Sequence, residues 1–259
     1  METQITDQGT VNLEIQNGIA TVEFGHPKSN SLPGKILRST AETISSLNVR
    51  DEVNVIVLKT TGERAFCAGA SFDELIAIND LETGKRFFMG FAQVINACRN
   101  SPKLIIGRVQ GKTVGGGVGI AAACDYTFAT KFASIKLSEL AIGIGPFVVG
   151  PAVERKLGTA AFSYLAINAR EWQTAEWARE NGLFAEVFDS IEEMDKAINR
   201  LAETLAQSNP EAMAMMKRAF WQGAEHWDQL LEERAETSGR LVLSDFTRNA
   251  IASFKAGAR

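Results

Sequence analysis

A run of three glycines, Gly115-Gly116-Gly117, is the first feature of this sequence that could support chemistry. It follows a short apolar segment and precedes the small-residue stretch from Ile120 to Cys124, as where a strand leads into a helix. Glycine lets the backbone approach a ligand, and amides at a helix start point outward at its partly positive end. Such amides stabilise a developing anion. The same glycines equally suit a close-packed turn, and their spacing matches neither a Walker A loop nor a full dinucleotide fingerprint.

A second small-residue loop, Phe66-Cys-Ala-Gly-Ala70, also follows a strand pattern. One amide from each loop would make a two-donor oxyanion hole if the fold brought the loops together. Cys67 is a possible nucleophile by residue type. Neither histidine lies in a context that would activate it, so a small buried thiol is the favoured interpretation.

Glu139 lies in the segment Lys136-Leu-Ser-Glu-Leu140, between a predicted strand and Gly143. A carboxylate in an apolar setting can have a raised pKa and carry protons. From the position alone, a solvated or capping glutamate is the simpler interpretation. Asp125 is expected to orient backbone groups, and the two histidines, His26 and His226, are expected in loops or at the surface.

The composition excludes several function classes. The chain has 259 residues, 45% of them apolar and 22% charged, with a net charge of −4, which fits a globular protein and disfavours nucleic-acid binding. Three cysteines without a CxxC pair and only two histidines disfavour a metal site. The first residues lack a signal-peptide pattern, and no apolar run has the length of a membrane span. We therefore expect a soluble, cytoplasmic, metal-free protein.

Strand patterns dominate the first part of the chain. Val11, Leu13 and Ile15 alternate with polar residues, and Asn17-Gly18 predicts a type I′ turn into a second strand over 19–24. Further strands are predicted over 53–58, 104–109, 126–129 and 134–137, and helices over 35–47 and 80–100.

Helical patterns dominate the rest of the chain. Gly158 and Gly182 are expected to end helices, and Asn209-Pro210 is expected to start one. The change from strand-rich to strand-poor patterns near residue 195 suggests a core over 1–195 and a helical region over 196–259. Three phenylalanines with helical spacing are expected to pack in the core, with a pocket wall as the alternative: Phe87, Phe88 and Phe91.

Five segments, in order over nearly the whole chain, resemble the enoyl-CoA hydratase/isomerase (crotonase) superfamily. They are Pro-Lys-Ser-Asn-Ser-Leu at 27–32, Phe-Cys-Ala-Gly-Ala at 66–70, the glycine segment at 111–125, Leu-Ser-Glu-Leu-Ala-Ile-Gly at 137–143, and Ala-Ser-Phe-Lys at 252–255. The resemblance implies an α/β fold, a crotonase-like spiral of ββα turns followed by a helical C-terminal trimerisation region. It also implies an acyl-CoA thioester as substrate, with no cofactor beyond the CoA it carries, and a homotrimer or a dimer of trimers.

The resemblance assigns roles to particular residues. The amides of Ala68 and Gly116 would hold the thioester oxygen, and Glu139 would be the general acid and base. Further substrate-binding positions are implied by the matched segments: Lys28, Ala70, Ser71, Gly115, Gly119, Phe254 and Lys255. By inspection alone, Phe72, Leu75, Phe88, Phe91 and Phe147 are guessed to shape the pocket.

Position 119 departs from the family pattern, because hydratases of this family commonly carry a second glutamate there. The resemblance therefore implies an enoyl-CoA hydratase, with a single-glutamate Δ3-Δ2-enoyl-CoA isomerase and a non-catalytic acyl-CoA-binding protein as alternatives. The run Gly-Gly-Gly-Val-Gly-Ile with the Leu-Ser-Glu segment is also similar to a bacterial branch related to methylglutaconyl-CoA hydratases. That similarity implies a role in fatty acid metabolism or branched-chain amino acid catabolism, without naming the pathway. Ser71 departs from that branch, where an aspartate is usual.

Overall fold

The computed structural model describes the backbone of residues 2–6 and 9–257 and the side chains of residues 9–253. Within these residues the strands are β1 (Glu2–Thr6), β2 (Gly9–Gln16), β3 (Ile19–Gly25), β4 (Val55–Thr60), β5 (Ala65–Cys67), β6 (Leu104–Val109), β7 (Lys112–Val114), β8 (Tyr126–Thr130), β9 (Ser134–Lys136), β10 (Gln173–Thr174) and β11 (Glu186–Phe188). The helices are α1 (Gly34–Ser46), α2 (Phe72–Ala77), α3 (Leu81–Asn100), α4 (Gly116–Ala123), α5 (Gly150–Ile167), α6 (Ala175–Glu180), α7 (Ile191–Ala206), α8 (Pro210–Phe220), α9 (Trp227–Val242) and α10 (Asp245–Gly257). Two 3₁₀ turns cover Leu47–Val49 and Leu140–Ile142.

A seven-stranded sheet in the order β1-β2-β3-β4-β6-β8-β11 forms the centre of the fold. The first three strands are antiparallel, and the pairings from β3 onward are parallel. Every residue of β6 is buried, because helices cover both faces of the sheet. Met194 and Ile198 of α7 pack on one face against Val57 and Ile106, and the main core lies on the other face.

A smaller sheet in the order β10-β9-β7-β5 positions the segments whose residues could do chemistry. The strands β5, β7 and β9 are parallel, with Thr113 opposite Ile135 and Val114 opposite Lys136. Because carboxyl ends of parallel strands lie at one edge, the loop after β5, the glycines after β7 and Glu139 after β9 emerge together. The whole arrangement is the α/β spiral with helical C-terminal region that the resemblance implied.

Several sequence-based predictions are confirmed at the level of single residues. The predicted hairpin forms, with positive φ at Asn17 (51°) and Gly18 (83°), as a type I′ turn requires. Gly158 interrupts α5 with φ 74°, and Asn209 caps α8 through its Oδ1. The small-residue loop predicted at 66–70 and the glycine segment at 111–125 overlap the strands β5 and β7, which are too short to show a periodic pattern.

The C-terminal helices pack tightly onto the spiral. An ideal Cβ on Gly84 of α3 would lie 2.9 Å from the Cα of Gly239 in α9, so side chains larger than hydrogen cannot fit at this crossing. Asp195 of α7 pairs with Arg108 of β6, with 2.6 Å between Oδ1 and Nε. The predicted boundary at residue 195 therefore falls inside a helix that packs on the large sheet, and the division into two regions stays a prediction.

No helix among the described residues is both long enough and apolar enough to cross a membrane.

Candidate active site

A cavity of about 1260 Å³ opens where the strands of the smaller sheet end. Its wall includes the loop after β5, the glycines at the start of α4, Glu139 and one face of α3. The pocket-shaping residues guessed from the sequence all line it: Phe72, Leu75, Phe88, Phe91 and Phe147. The α3 phenylalanines are also buried in the core, so the core and pocket-wall interpretations both hold for Phe88 and Phe91.

The two small-residue loops meet, which the sequence left open. An ideal Cβ on Gly117 would lie 2.5 Å from Cys67 Cβ, and one on Gly69 would lie 3.2 Å from Val114 O. The Gly69 amide donates to Cys67 Sγ at 3.3 Å. Burial raises the pKa of the Cys67 thiol to about 12, so this cysteine is a packing residue rather than a nucleophile.

The amides of the loop after β5 differ in what they bind. Ala68 N–H, implied as an oxyanion donor, donates to Ser29 O at 3.1 Å, and Ser71 N–H donates to Leu32 O at 3.2 Å. Ala70 N–H has no acceptor among the described residues, and Ala70 lines the cavity. Within this loop, Ala70 is therefore the amide available to a ligand.

The start of α4 supplies the second available amide. Gly116 is the first residue of the helix and lines the cavity, and its N–H has no acceptor among the described residues. Gly115 before it has φ 52° and ψ −115°, a conformation that side chains disfavour. An ideal Cβ on Gly116 would lie 2.0 Å from Phe91 Cε1, so the aromatic ring fixes the position of this backbone.

Glu139 lies against the glycine run, with its Oε1 3.0 Å from an ideal Cβ on Gly115. The residue is half-buried, but its Oε2 is shielded from solvent and has no hydrogen-bond partner among the described residues. Burial raises the pKa of Glu139 to about 7. A carboxyl group with this pKa can both accept and return a proton near neutral pH.

Position 119, where the family commonly has a second glutamate, is closed by packing. An ideal Cβ on Gly119 would lie 2.5 Å from Val149 Cγ1. Val149 lines the cavity and packs against Gly119, which is buried, and a contact between Gly119 and substrate stays a prediction. An apolar side chain thus stands on the wall where a second carboxylate was expected.

The remaining predicted substrate-binding residues either line the cavity or have side chains outside the described residues. Lys28 is exposed and forms an ion pair with Asp73, and both line the cavity. Ser71 also lines it and caps α2 by accepting from the Glu74 amide. Phe254 and Lys255 fall in α10, but their side chains lie outside the described residues.

Sequence reasoning missed a basic part of the cavity wall, formed by Lys136, Arg170 and Trp172. The Lys136 Nζ lies 4.5 Å from the centroid of the Trp172 ring. The pairing of β9 with β10 brings these residues together, and a two-residue strand leaves no pattern in the sequence.

Among the described residues, no group of three or more His, Cys, Asp or Glu side chains could hold a metal ion.

The chain matches the family model described as enoyl-CoA hydratase/isomerase over residues 14–251. The short-chain-enoyl-CoA hydratase of Clostridium acetobutylicum is 28% identical over 247 residues, covering 94% of each chain. The mitochondrial methylglutaconyl-CoA hydratase of Rattus norvegicus is 30% identical over 200 residues, covering 76% of this chain and 63% of that protein. The peroxisomal Δ(3,5)-Δ(2,4)-dienoyl-CoA isomerase of Arabidopsis thaliana is 27% identical, covering 82% and 80%.

The fold is similar to that of solved structures. The crystal structure of enoyl-CoA hydratase from Bacillus halodurans superposes with a TM-score of 0.87 at 21% identity, covering 94% of this chain and 99% of that one.

Proposed function

The chain belongs to the enoyl-CoA hydratase/isomerase family, and from that premise we propose that it adds water across the 2,3 double bond of an acyl-CoA thioester. The observation that carries the proposal is Glu139, a shielded carboxylate beside the backbone amides of two loops in one cavity. The hydratase names among the relatives support the same reaction.

In the proposed reaction, the thioester oxygen accepts hydrogen bonds from the loop amides. Gly116 and Ala70 are the donors we favour, since the Ala68 amide already binds Ser29 O. Both amides are fixed by packing before substrate arrives, so they need no reorganisation as negative charge forms on the oxygen. Removal of one such donor typically raises the barrier by about 2.7–4 kcal/mol.

Glu139 moves the proton. Its carboxylate accepts a proton from water as the water oxygen bonds to the β-carbon, and the double-bond electrons move to the thioester oxygen as an enolate. The neutral Glu139 then gives that proton to the α-carbon, and the thioester carbonyl reforms. One group suffices because the proton taken and the proton returned are the same, and no cofactor is needed beyond the CoA of the substrate.

A specific observation supports a second candidate, the Δ3-Δ2-enoyl-CoA isomerase. Val149 packs against Gly119 and lines the cavity, so an apolar side chain stands where a second carboxylate could have held the water. Glu139 is then the one carboxylate beside the amides among the described residues. In isomerisation, Glu139 would remove a proton from the α-carbon and return it to the γ-carbon without water.

At the CoA end we propose Lys28, Phe254 and Lys255 as contacts, since Lys28 lies at the entrance and α10 contributes Ala250 and Ser253 to the cavity wall. We also propose a homotrimer or a dimer of trimers, from the family resemblance and the helical C-terminal region.

Turnover of three esters tests the proposal: crotonyl-CoA, 3-methylglutaconyl-CoA and a 3-enoyl-CoA. The hydratase predicts loss of the conjugated double bond of a 2-enoyl ester, with one oxygen from labelled water in the product. Conversion of the 3-enoyl ester alone, to its 2-enoyl isomer, would replace the hydratase by the isomerase. Tight ester binding without turnover of any member would favour a binding protein.

The pH dependence provides a separate test of the role of Glu139. Since burial raises the pKa of Glu139 to about 7, the ionised base that accepts the water proton is lost below that pH. We expect kcat/KM to rise about tenfold per pH unit below neutrality and to level off above it. The measurement is made at pH values where circular dichroism shows intact protein. If kcat/KM instead falls only near the ordinary glutamate pKa of about 4.3, this role of Glu139 is contradicted.

A further inference from the structure

One face of the smaller sheet carries more positive charge than the rest of the cavity. Lys112 on β7 and Lys136 on β9 both direct their ammonium groups to Trp172, with Nζ-to-ring-centroid distances of 5.4 Å and 4.5 Å. Lys136, Arg170 and Trp172 line the cavity. Two ammonium groups therefore lie over the Trp172 ring, and Arg170 adds a third cation to the same part of the cavity wall.

These cations lack a close carboxylate partner. No carboxylate oxygen of a described residue lies within 4.0 Å of the nitrogens of Lys136 or Arg170. The neighbouring Glu171 is exposed, and it affects Lys136 by a longer-range electrostatic attraction without forming an ion pair. Burial and the charge of Lys112 lower the pKa of Lys136. Like charges held beside one ring repel each other, so an anion placed among them would be stabilised.

We propose that the wall formed by Lys136, Arg170 and Trp172 binds an anionic group of the substrate, namely a carboxylate on the acyl chain. The proposed substrate class is therefore the CoA monothioester of a dicarboxylic acid, whose second carboxylate is free. This inference rests on the proposed function for the position of the reacting carbons, and it adds the identity of the acyl group.

The position of Lys136 favours the acyl chain over the CoA phosphates as the source of the anion. Its carbonyl accepts from Gly115 N–H at 2.8 Å, and Gly115 itself contacts the Glu139 carboxylate. The backbone of Lys136 therefore lies beside the proposed reacting carbons, and its side chain extends from there to the Trp172 ring. The phosphates of CoA are separated from the thioester by the whole pantetheine arm. Lys136 is half-buried, whereas Lys28, elsewhere in the cavity lining, is exposed and pairs with Asp73.

The other contents of the cavity agree with this assignment. Another part of the cavity lining is apolar, with Phe88, Phe91 and Val149, and offers nothing to a charged group. Asp73 pairs with Lys28 at the entrance, and Glu139 is the carboxylate near the amides. A substrate carboxylate would be repelled by Glu139 unless it lay against the cations, which fixes the orientation of the acyl chain.

Binding of saturated esters tests the inference without requiring turnover. Isothermal titration calorimetry would compare succinyl-CoA with butyryl-CoA and glutaryl-CoA with valeryl-CoA, pairs in which a terminal carboxylate replaces a methyl group. We expect wild-type protein to prefer the carboxylated member at one chain length by about 10- to 100-fold, the range of hydrogen bonds to charged groups. Lys136→Met and Arg170→Met should each reduce this preference at least about fivefold, while Lys136→Arg should retain it.

The outcomes separate the two anion sources. If the methionine variants weaken both members of each pair equally, and free CoA with them, then the cations hold the CoA phosphates and the inference is overturned. The absence of a preference in wild-type protein at both chain lengths would also overturn it. If the preference is present but no 2-enoyl ester is hydrated, then the proposed function fails and the anion site stands.

Discussion

Glu139→Gln is expected to lower the turnover of a 2-enoyl-CoA by about 10²–10⁴-fold, the usual contribution of a general acid–base. Glutamine keeps the shape of the side chain but cannot accept the proton of water or give one to the α-carbon. The loss should appear in kcat, because the oxyanion donors are backbone amides that the substitution leaves in place. Steady-state kinetics with crotonyl-CoA and 3-methylglutaconyl-CoA measures it.

Two controls make the result specific. Glu176→Gln removes an exposed carboxylate on α6, where Glu176 pairs only with Arg179 among the described residues, and should leave kcat within about twofold. Binding of a saturated ester to Glu139→Gln, measured by calorimetry, should stay within about threefold of wild type. Near-normal turnover of Glu139→Gln would remove Glu139 from the reaction, whatever the other variants show.

Lys217→Met is expected to destabilise the protein by about 3–5 kcal/mol, the cost of breaking a buried ion pair from one side. The Lys217 Nζ lies 2.8 Å from Asp125 Oδ2, and the two side chains are 2% and 6% exposed. The same carboxylate accepts from the Trp221 indole at 3.0 Å and from Ile105 N–H at 2.8 Å. Methionine fills the space of the lysine stem, so the expected loss comes from the lost ion pair of Asp125 rather than from a cavity. Lys156, whose Nζ donates to Asp125 O at 2.8 Å, compensates the charge of Asp125 only in part.

Urea unfolding followed by circular dichroism measures this destabilisation. Lys131→Met is the matched control, since Lys131 pairs with Asp189 at the surface, where the side chains are 50% and 80% exposed. Surface pairs contribute about 0–1 kcal/mol, so the control should unfold near the wild-type urea concentration. Equal midpoints for the two variants would show that the buried pair does not anchor α8 to the segment between α4 and β8. The double variant Lys217→Met with Asp125→Ala should recover part of the lost stability, because it removes the stranded charge.

The sequence by itself determined the local elements and the family. Alternating and continuous apolar runs predict the hairpin and the buried strands, because side-chain period and burial are local properties. Gly158 and Asn209-Pro210 mark helix ends through backbone chemistry that their neighbours cannot override. Motifs in order along the chain identified the family, and with it Glu139 and the two small-residue loops.

Only the tertiary structure decided how these pieces act together. The pKa of Glu139 depends on what buries it. The proposal of Ala70 rather than Ala68 as a donor rests on the hydrogen bond from Ala68 N–H to Ser29 O, a residue far away in the chain. Val149 fills the space beside Gly119. Lys136 and Trp172 come together through cross-strand pairing, which has no sequence signature in strands of two or three residues. Burial, amide availability and cation clustering are properties of neighbours in space, so the sequence supplies the groups and the packing determines their chemistry.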